Sequence, residues 1–476
     1  MRAFITLLAL GGLQLAPLAA QSTPYVPSAD PAYQDLDVLV AAGLVTELIA
    51  GERPYSRAAF TRFLTEARGR IEPGTEDRWS ARLNEALERL GRRFVVGPAQ
   101  PLPRRRPRLR GASLVLTGAD SPYRELRPGR RLDRLDGFLN PLLDRSQGRR
   151  LADGASASGE AVVDLYAGPL AGRVAPRLSL LSAMDGTNGR SDVTLVEAYA
   201  RAVIGPVGID IGRNRVSMGY GSDGGPALSH NARGLDMIRL SADRPVRLPG
   251  FLGALGLWQA SGLLADMGKS RDIPGSKLAV FRLSSRPNRF VEFGVISMNH
   301  LGGEGAPEAT WRQRINDLVF FLWAYPNSVN VSNKAAGVDL RVTLPSLRTE
   351  LYVNGLTTDD RGHFTQPAGG LWEDAIWLIG ARASALGEGG RFDFWGEWKH
   401  AGADAHTHGQ FTSGLTLDDK VIGDALGPNA SSVQGGLDWT GTASRISFGG
   451  YWERYSGDDF GVGPVEGVGH DWTTLV

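Results

Sequence analysis

The chain has 476 residues, 52 Lys and Arg against 51 Asp and Glu, and no cysteine. The balanced charge gives no general case for nucleic-acid binding, and the missing thiols exclude disulfides and thiolate metal sites. Glycine is abundant at 62 and arginine supplies almost all the positive charge, in a chain long enough for a large core or for a large shell around a lumen.

Residues 1–20, "MRAFITLLALGGLQLAPLAA", place Arg2 before an apolar stretch from Ala3 to Leu15 and end on Ala19 and Ala20. This is the grammar of a secretory signal peptide cut near Ala20–Gln21. The run is shorter than the ~20 residues of a spanning helix. No later segment supplies such a helix, so the exported chain is expected to be either soluble or a β-barrel.

Residues 21–95 read as a helical head. Pro27, Ser28, Asp30 and Pro31 open a helix with Tyr33, Leu36, Leu39 and Val40 on one face, and Gly43 ends it. A second helix starts at the cap Ser56 and carries Phe60, Phe63 and Leu64. A third, Glu76 to Leu90, carries Trp79, Leu83, Leu87 and Leu90, with Gly91 as its stop. Three short amphipathic helices make a small bundle or a plug. "DLDVLVAAGLV" and "RPYSRAAFTRFL" resemble the helix–loop–helix of surface-layer-homology domains, which implies peptidoglycan as a partner.

The linker, 96–107, is rich in proline, which forbids a helix. Arg104, Arg105 and Arg106, with Arg108 and Arg110 just beyond, make this stretch basic. It is either a solvated spacer or a contact for anionic lipid head groups.

From 108 to 476 the pattern has period two. In "RFDFWGEWKH", Phe392, Phe394, Gly396 and Trp398 oppose Arg391, Asp393, Trp395, Glu397 and Lys399. Val338, Leu340 and Val342 oppose Asp339 and Arg341; Leu351 and Val353 oppose Glu350, Tyr352 and Asn354. Val196, Ala198 and Ile204 oppose Glu197, Tyr199 and Arg201; Ile446, Phe448 and Trp452 oppose Ser447, Tyr451 and Glu453. Alternation also suits a soluble sandwich, whose apolar face is the inside. Three features favour an all-β antiparallel transmembrane barrel of 16–18 strands. The run of strands is too long for a sandwich, aromatics gather near strand ends, and connections alternate between short and long.

Short turns fall at 168–172, 205–208, 344–348, 387–390 and 440–444. Keeping their parity makes 299–334 one external loop with a short helix (Leu318, Phe321 and Leu322 at helical spacing) rather than a strand. It also makes 401–432 one external loop. A third, within "GIDIGRNRVSMGYGSDGGPALSHNARGLDMIRL", is expected to fold back over the barrel mouth on its glycines.

With the helical head and "RPYSRAAF", the strand "LVEAYARAVIGPVGIDIGRNRVSMGYG", "SHNARGLDMIRL", and "EWKH" before a long loop with "GPNA", the chain resembles the capsule-assembly Wzi family of outer-membrane proteins. The resemblance implies a barrel of about eighteen strands, a periplasmic helical bundle, and a lectin-like role in holding capsular polysaccharide. The count here is nearer sixteen. The chain ends on "HDWTTLV", mid-strand and without the terminal aromatic residue usual in such barrels. Truncation and loss of the last strands are the two alternatives, and either leaves barrel closure open.

No catalytic constellation stands out. The run from His406 to His408 could hold a metal with His400, but a glycine-rich loop favours solvated histidines. "GYGSDGG" and "GEGG" lack the Lys and helix of a phosphate loop, and Ser217 lacks the glycines of a nucleophile elbow. Glu197, Arg201, Asp339, Arg341, Glu350, Asp393 and Glu397 read as a lumenal charge network in preference to a catalytic carboxylate set. Sugar binding needs aromatic faces and hydrogen-bonding side chains. In the expected external loops these are Tyr220, Asn231, Arg233, Trp311, Arg312, Trp372 and His400, each of which could equally pack the loops together. The expectation is a non-catalytic barrel, without metal or cofactor, that retains surface polysaccharide in the bacterial outer membrane. Its partners are membrane lipid and that polysaccharide. A diffusion channel for small solutes is the alternative, and an open lumen would distinguish it.

Overall fold

The computed structural model describes residues 22–71, 80–94, 107–119, 147–150, 154–182, 189–319, 331–358, 375–402, most of 405–455, and 469–475. The expected signal peptide and nearly all of the linker lie outside these residues.

Three helices, α1 (Ala32–Ala41), α2 (Arg57–Arg70) and α3 (Ser80–Phe94), share one apolar core. The Oγ of Ser56 accepts the N–H of Ala59 at 3.2 Å, capping α2. Gly43 follows α1 with φ +74°, where a side chain would be strained. The third helix departs from expectation: it runs through Gly91 to Phe94. Phe94 stacks on Phe60 at 4.5 Å, and that packing outweighs the ~1 kcal/mol cost of a helical glycine. Trp79 falls outside the described residues.

Sixteen long strands follow in one sheet that closes as a barrel. They are β1 (Arg108–Ala119), β2 (Gly154–Ala167), β3 (Leu170–Leu181), β4 (Arg190–Ile204), β5 (Val207–Asn214), β6 (Leu235–Ala242), β7 (Leu257–Asp266) and β8 (Lys277–Arg286). The rest are β9 (Val291–Leu301), β10 (Ser332–Leu344), β11 (Thr349–Thr358), β12 (Ala375–Leu386), β13 (Phe392–Ala401), β14 (Ala430–Thr440), β15 (Arg445–Tyr455) and β16 (Gly469–Leu475). Each of the first fifteen pairs antiparallel with the next, as in Val291↔Val342 between β9 and β10.

The outer face is apolar and the inner face charged. Val193, Leu116 and Val338 are exposed, whereas Asp339, Arg341 and Glu350 are buried. This inverts a soluble sandwich and matches a wall facing hydrocarbon. One predicted face is corrected. Val196 is buried on the same side as Glu197, because the β3–β4 register passes from Ala175↔Glu197 to Pro176↔Leu195 and leaves Val196 as the extra residue of a bulge. Pro176 has no N–H to give the ladder, and bulges form where such a residue sits.

Short connections gather at one end of the barrel and long ones at the other. The exception is 243–256, between β6 and β7. It carries the two-residue strand Val246–Arg247, still paired with β7, and a 3-10 turn, Gly250–Leu255. Residues 302–331 carry α4 (Trp311–Val319) and no strand among those described; Phe321 and Leu322 lie outside them. Among its described residues, the segment 402–429 holds only a small hairpin, Thr416–Leu417 with Lys420–Val421.

The helical head docks on the short-turn end. Arg391, in the turn before β13, meets Glu85 of α3 at 2.6 Å. Asp35 of α1 receives Arg82 at 3.3 Å, Arg89 at 2.9 Å and Arg445 of β15 at 3.4 Å.

Candidate functional site: the plugged lumen and the loop face

Period-two alternation points half of every strand inward, and the inward residues divide into two zones. Toward the short turns they are acids and arginines. Arg341 lies 2.7 Å from Glu292 and also pairs with Glu350. Arg282 lies 2.6 Å from Asp339. Arg173 bridges Asp164 at 2.8 Å and Glu197 at 3.4 Å. Arg201 binds Asp210 at 3.0 Å and Asp243 at 2.7 Å.

The head enters this zone. Glu52 meets Arg239 at 2.5 Å and accepts Ser261 Oγ at 2.8 Å. The phenol of Tyr25 donates to Asp210 at 2.8 Å, and burial pushes its pKa up. The backbone N–H groups of Ala50 and Gly51 donate to Glu292 at 2.8 and 3.0 Å. Buried carboxylates in such a place need partners, and the head supplies several of them.

Toward the long loops the inward residues are mostly apolar, Met237, Leu263, Leu278, Met298, Leu356 and Ile376 among others, with His300, Asn333 and Lys399 as buried polar exceptions and Lys399 paired to Asp424 of the 402–429 loop at 2.8 Å. Two loops pack into this collar, 215–234 with Val216, Met218 and Leu228, and 402–429 with Leu415, Leu417 and Ile422. They are knitted by Ser229 N–H to Ile422 O at 2.9 Å and Asn231 Nδ2 to Val421 O at 3.0 Å. Arg271, in the loop between β7 and β8, donates to Thr416 O at 3.0 Å and Gly414 O at 2.9 Å.

The glycine-rich loop therefore does not lie over the mouth, as its composition suggests. It descends into the lumen. Its Ser217–Met218 pairs with Glu52–Arg53 of the head, and Gly219 N–H donates to Gly51 O at 2.9 Å. Deeper still, Tyr220 donates to Glu292 at 3.1 Å. Glu397 fastens the turn that follows, accepting Ser222 N–H at 2.7 Å, Tyr352 Oη at 2.7 Å and Gln434 Nε2 at 2.6 Å. Gly219, with φ +131°, and Gly225 touch backbone to backbone there; a Cβ at either position would collide. Head, loop and collar form one continuous plug.

The seven residues read as one charge network fall into separate groups. Arg341 and Glu350 pair directly, but Asp339 goes to Arg282, Glu197 to Arg173, and Arg201 to Asp210 and Asp243. Asp393 lies 3.5 Å from Arg82 of the head, and Glu397 takes the hydrogen bonds just described. Sequence alternation marks which of these residues point inward. It misses the partners contributed from afar: Tyr25, Glu52, Arg173, Arg239, Arg282 and Glu292.

The sugar candidates also divide. Tyr220 and Asn231 are buried in the plug and present nothing outward. Arg233 is tied to Asp418 and, at 3.4 Å, to Asp236. His400 is buried near the end of β13 on the outer-face side, stacked on Trp398 with ring centres 6.1 Å apart and 3.1 Å from Ser431. Trp372 lies outside the described residues. Trp311 and Arg312 remain at the loop end on α4: Trp311 is 70% exposed and the Arg312 guanidinium sits 5.9 Å from its ring centre. Among the described residues no group of three or more His, Asp or Glu could hold a metal. His406 is buried, neither of its ring nitrogens has a hydrogen-bond partner among the described residues, and burial lowers its pKa to about 4. Burial does the same for His230, helped by Arg215 and Arg53.

Fold and interior together define a transmembrane β-barrel whose lumen is filled by its own loops and by an N-terminal helical head. The chain belongs to the family of the capsule assembly protein Wzi, whose profile matches residues 128–446, and the barrel is accordingly one of the outer membrane. Among solved structures it is similar to Escherichia coli Wzi, with a TM-score of 0.66 and 16% identity over 92% of this chain and 86% of that one. That protein is described as an outer-membrane protein involved in group 1 capsule assembly and a carbohydrate-binding β-barrel. Pseudomonas aeruginosa OccK5 is much more distant, with a TM-score of 0.35 and 10% identity over 64% of this chain and 78% of that one. No curated protein sequence matches.

Proposed function

We propose that this barrel retains surface polysaccharide at its long-loop end, without catalysis and without serving as a channel. The observation that carries the reading is the plug. Loops 215–234 and 402–429 fill the apolar collar, and a solute path needs a wetted lumen. Family membership supports the capsule-related role, and the carbohydrate binding of the E. coli protein points the same way. Trp311 and Arg312 on α4 offer an aromatic face with an adjacent cation at the surface, the chemistry that a sugar ring and an acidic substituent require. A single stack is weak, so retention of a repeating polymer rests on many shallow contacts along it.

The helical head closes the short-turn end, and its likeness to surface-layer-homology helices makes peptidoglycan a candidate partner. Co-sedimentation with purified sacculi tests that part. The main reading is tested in a strain lacking the protein. Cells complemented with the wild-type chain should hold their surface polysaccharide through washing, and purified protein should pull that polymer down. Full retention in the deletion strain, with no pull-down, overturns the proposal.

A further inference from the structure

We propose that the connection between β6 and β7, together with the neighbouring turn between β8 and β9, is an anchor for anionic phospholipid at the periplasmic leaflet. The connection 243–256 is the one that breaks the rule of short turns, and its placement is unusual. Trp258 alternates to the outer face of β7, opposite the inward Ser261 and Leu263. Its indole N–H donates to Leu252 O at 2.9 Å. The 3-10 turn Gly250–Leu255 therefore folds outward against the barrel's outer wall, away from the lumen. Gly256 holds it close to the next turn: a Cβ there would lie 2.0 Å from Arg286 O and 2.7 Å from Pro287 Cα.

What this element presents is apolar and basic together. Phe251 is 81% exposed, and Leu255 and Phe290 are exposed beside it. Arg244, Arg247 and Arg289 are exposed on the same two connections. The Arg247 guanidinium donates to Gly253 O at 3.1 Å, and that of Arg289 lies 4.8 Å from the Phe290 ring centre. None of the three pairs with a carboxylate among the described residues; the nearby Asp243 is already taken by Arg62 at 3.2 Å and Arg201 at 2.7 Å.

Short turns of such barrels face the periplasm, so the patch sits where the inner-leaflet head groups begin and continues the lipid-facing wall. Aromatic and aliphatic side chains seated at the acyl boundary, with arginines at phosphate depth, are the chemistry of an interfacial anchor. Each basic side chain near such a surface favours anionic lipid by roughly fivefold. Phe251 and Leu255 would enter the acyl boundary with Arg289 beside them, while Arg244 and Arg247, which also border the cavity between this connection and the head, reach the phosphates from the barrel rim.

The absence of cysteine makes the test direct. An environment-sensitive fluorophore is placed at position 251 through Phe251→Cys, and a control at the exposed head residue Glu88 through Glu88→Cys, with the full chain in phosphatidylglycerol/phosphatidylcholine nanodiscs. The label at 251 should be shielded from aqueous iodide and quenched by nitroxide-bearing phospholipid, while the label at 88 shows the reverse. Phosphatidylglycerol should be enriched around the wild type. The enrichment should fall at least roughly fivefold in the triple variant Arg244→Gln, Arg247→Gln, Arg289→Gln, and return with lysine at the same three positions. Iodide access at 251 equal to that at 88 overturns the proposal, as does unchanged enrichment in the glutamine variant. Shielding that occurs only in native envelope fragments, and not in nanodiscs, would mean a protein covers the patch, and that also overturns it.

Discussion

The two halves of the lumen are built on the same strands and solve the same problem by opposite chemistry. Near the short turns, Arg341, Glu292 and Glu350 satisfy one another and the head completes the set. Near the long loops, Met237, Leu278, Met298 and Ile376 meet apolar loop residues. A charged half depends on each partner, because one removal strands the others in a poor solvent. An apolar half is tolerant, because neighbours relax around a lost methyl group. The barrel thus has a brittle base and a forgiving seal.

The contrast can be broken most sharply at its base. Arg341→Met leaves Glu292 and Glu350 buried without their cation and should cost about 3–5 kcal/mol. Loss of the heat-modifiable folded band on cold SDS gels is the readout. The double variant with Glu350→Gln should recover part of the loss. In the seal, Leu228→Ala should cost about 2–4 kcal/mol, seen as a lower Tm, while the folded band persists.

Acid should act on the seal through its histidines. His230 and His406 have pKa values lowered from 6.5 to about 4 by burial. Below 6.5 the unfolded loops bind protons that the folded plug does not, so stability rises with pH in this window. The plug should be firm above pH 6.5 and lose stability as pH falls toward 4, measured as trypsin cleavage within 215–234 and 402–429. His406→Phe should flatten part of that dependence. The smallest effect belongs at the surface: Trp311→Ala should weaken polymer binding by about 1 kcal/mol per site, read by titration with purified polysaccharide, with no change in Tm.

Much of this was legible in the chain because the period of two is a local property. Glu350, Tyr352 and Asn354 are inward for the same reason that Leu351 and Val353 are outward, and no distant contact is needed to read it. Parity of turns likewise placed a loop, not a strand, within 299–334, although its first and last three residues belong to β9 and β10. Three things were not local. The bulge at Val196 depends on Pro176 in the neighbouring strand. The extension of α3 past Gly91 depends on Phe60. The descent of the glycine-rich loop depends on Gly51–Arg53, far away in the chain. Composition marks 219–225 as able to turn tightly but not toward what, so sequence alone leaves Tyr220 and Asn231 open between facing sugar and packing the loops together, and in the fold both are buried in the plug.

Single-barrel conductance in planar bilayers tests the central claim most directly. The account predicts that the wild-type protein, inserted with its head, gives no steady ohmic current at neutral pH. A stable open-channel conductance from the intact chain would contradict the plug, and with it the assignment of the loop face to holding polymer.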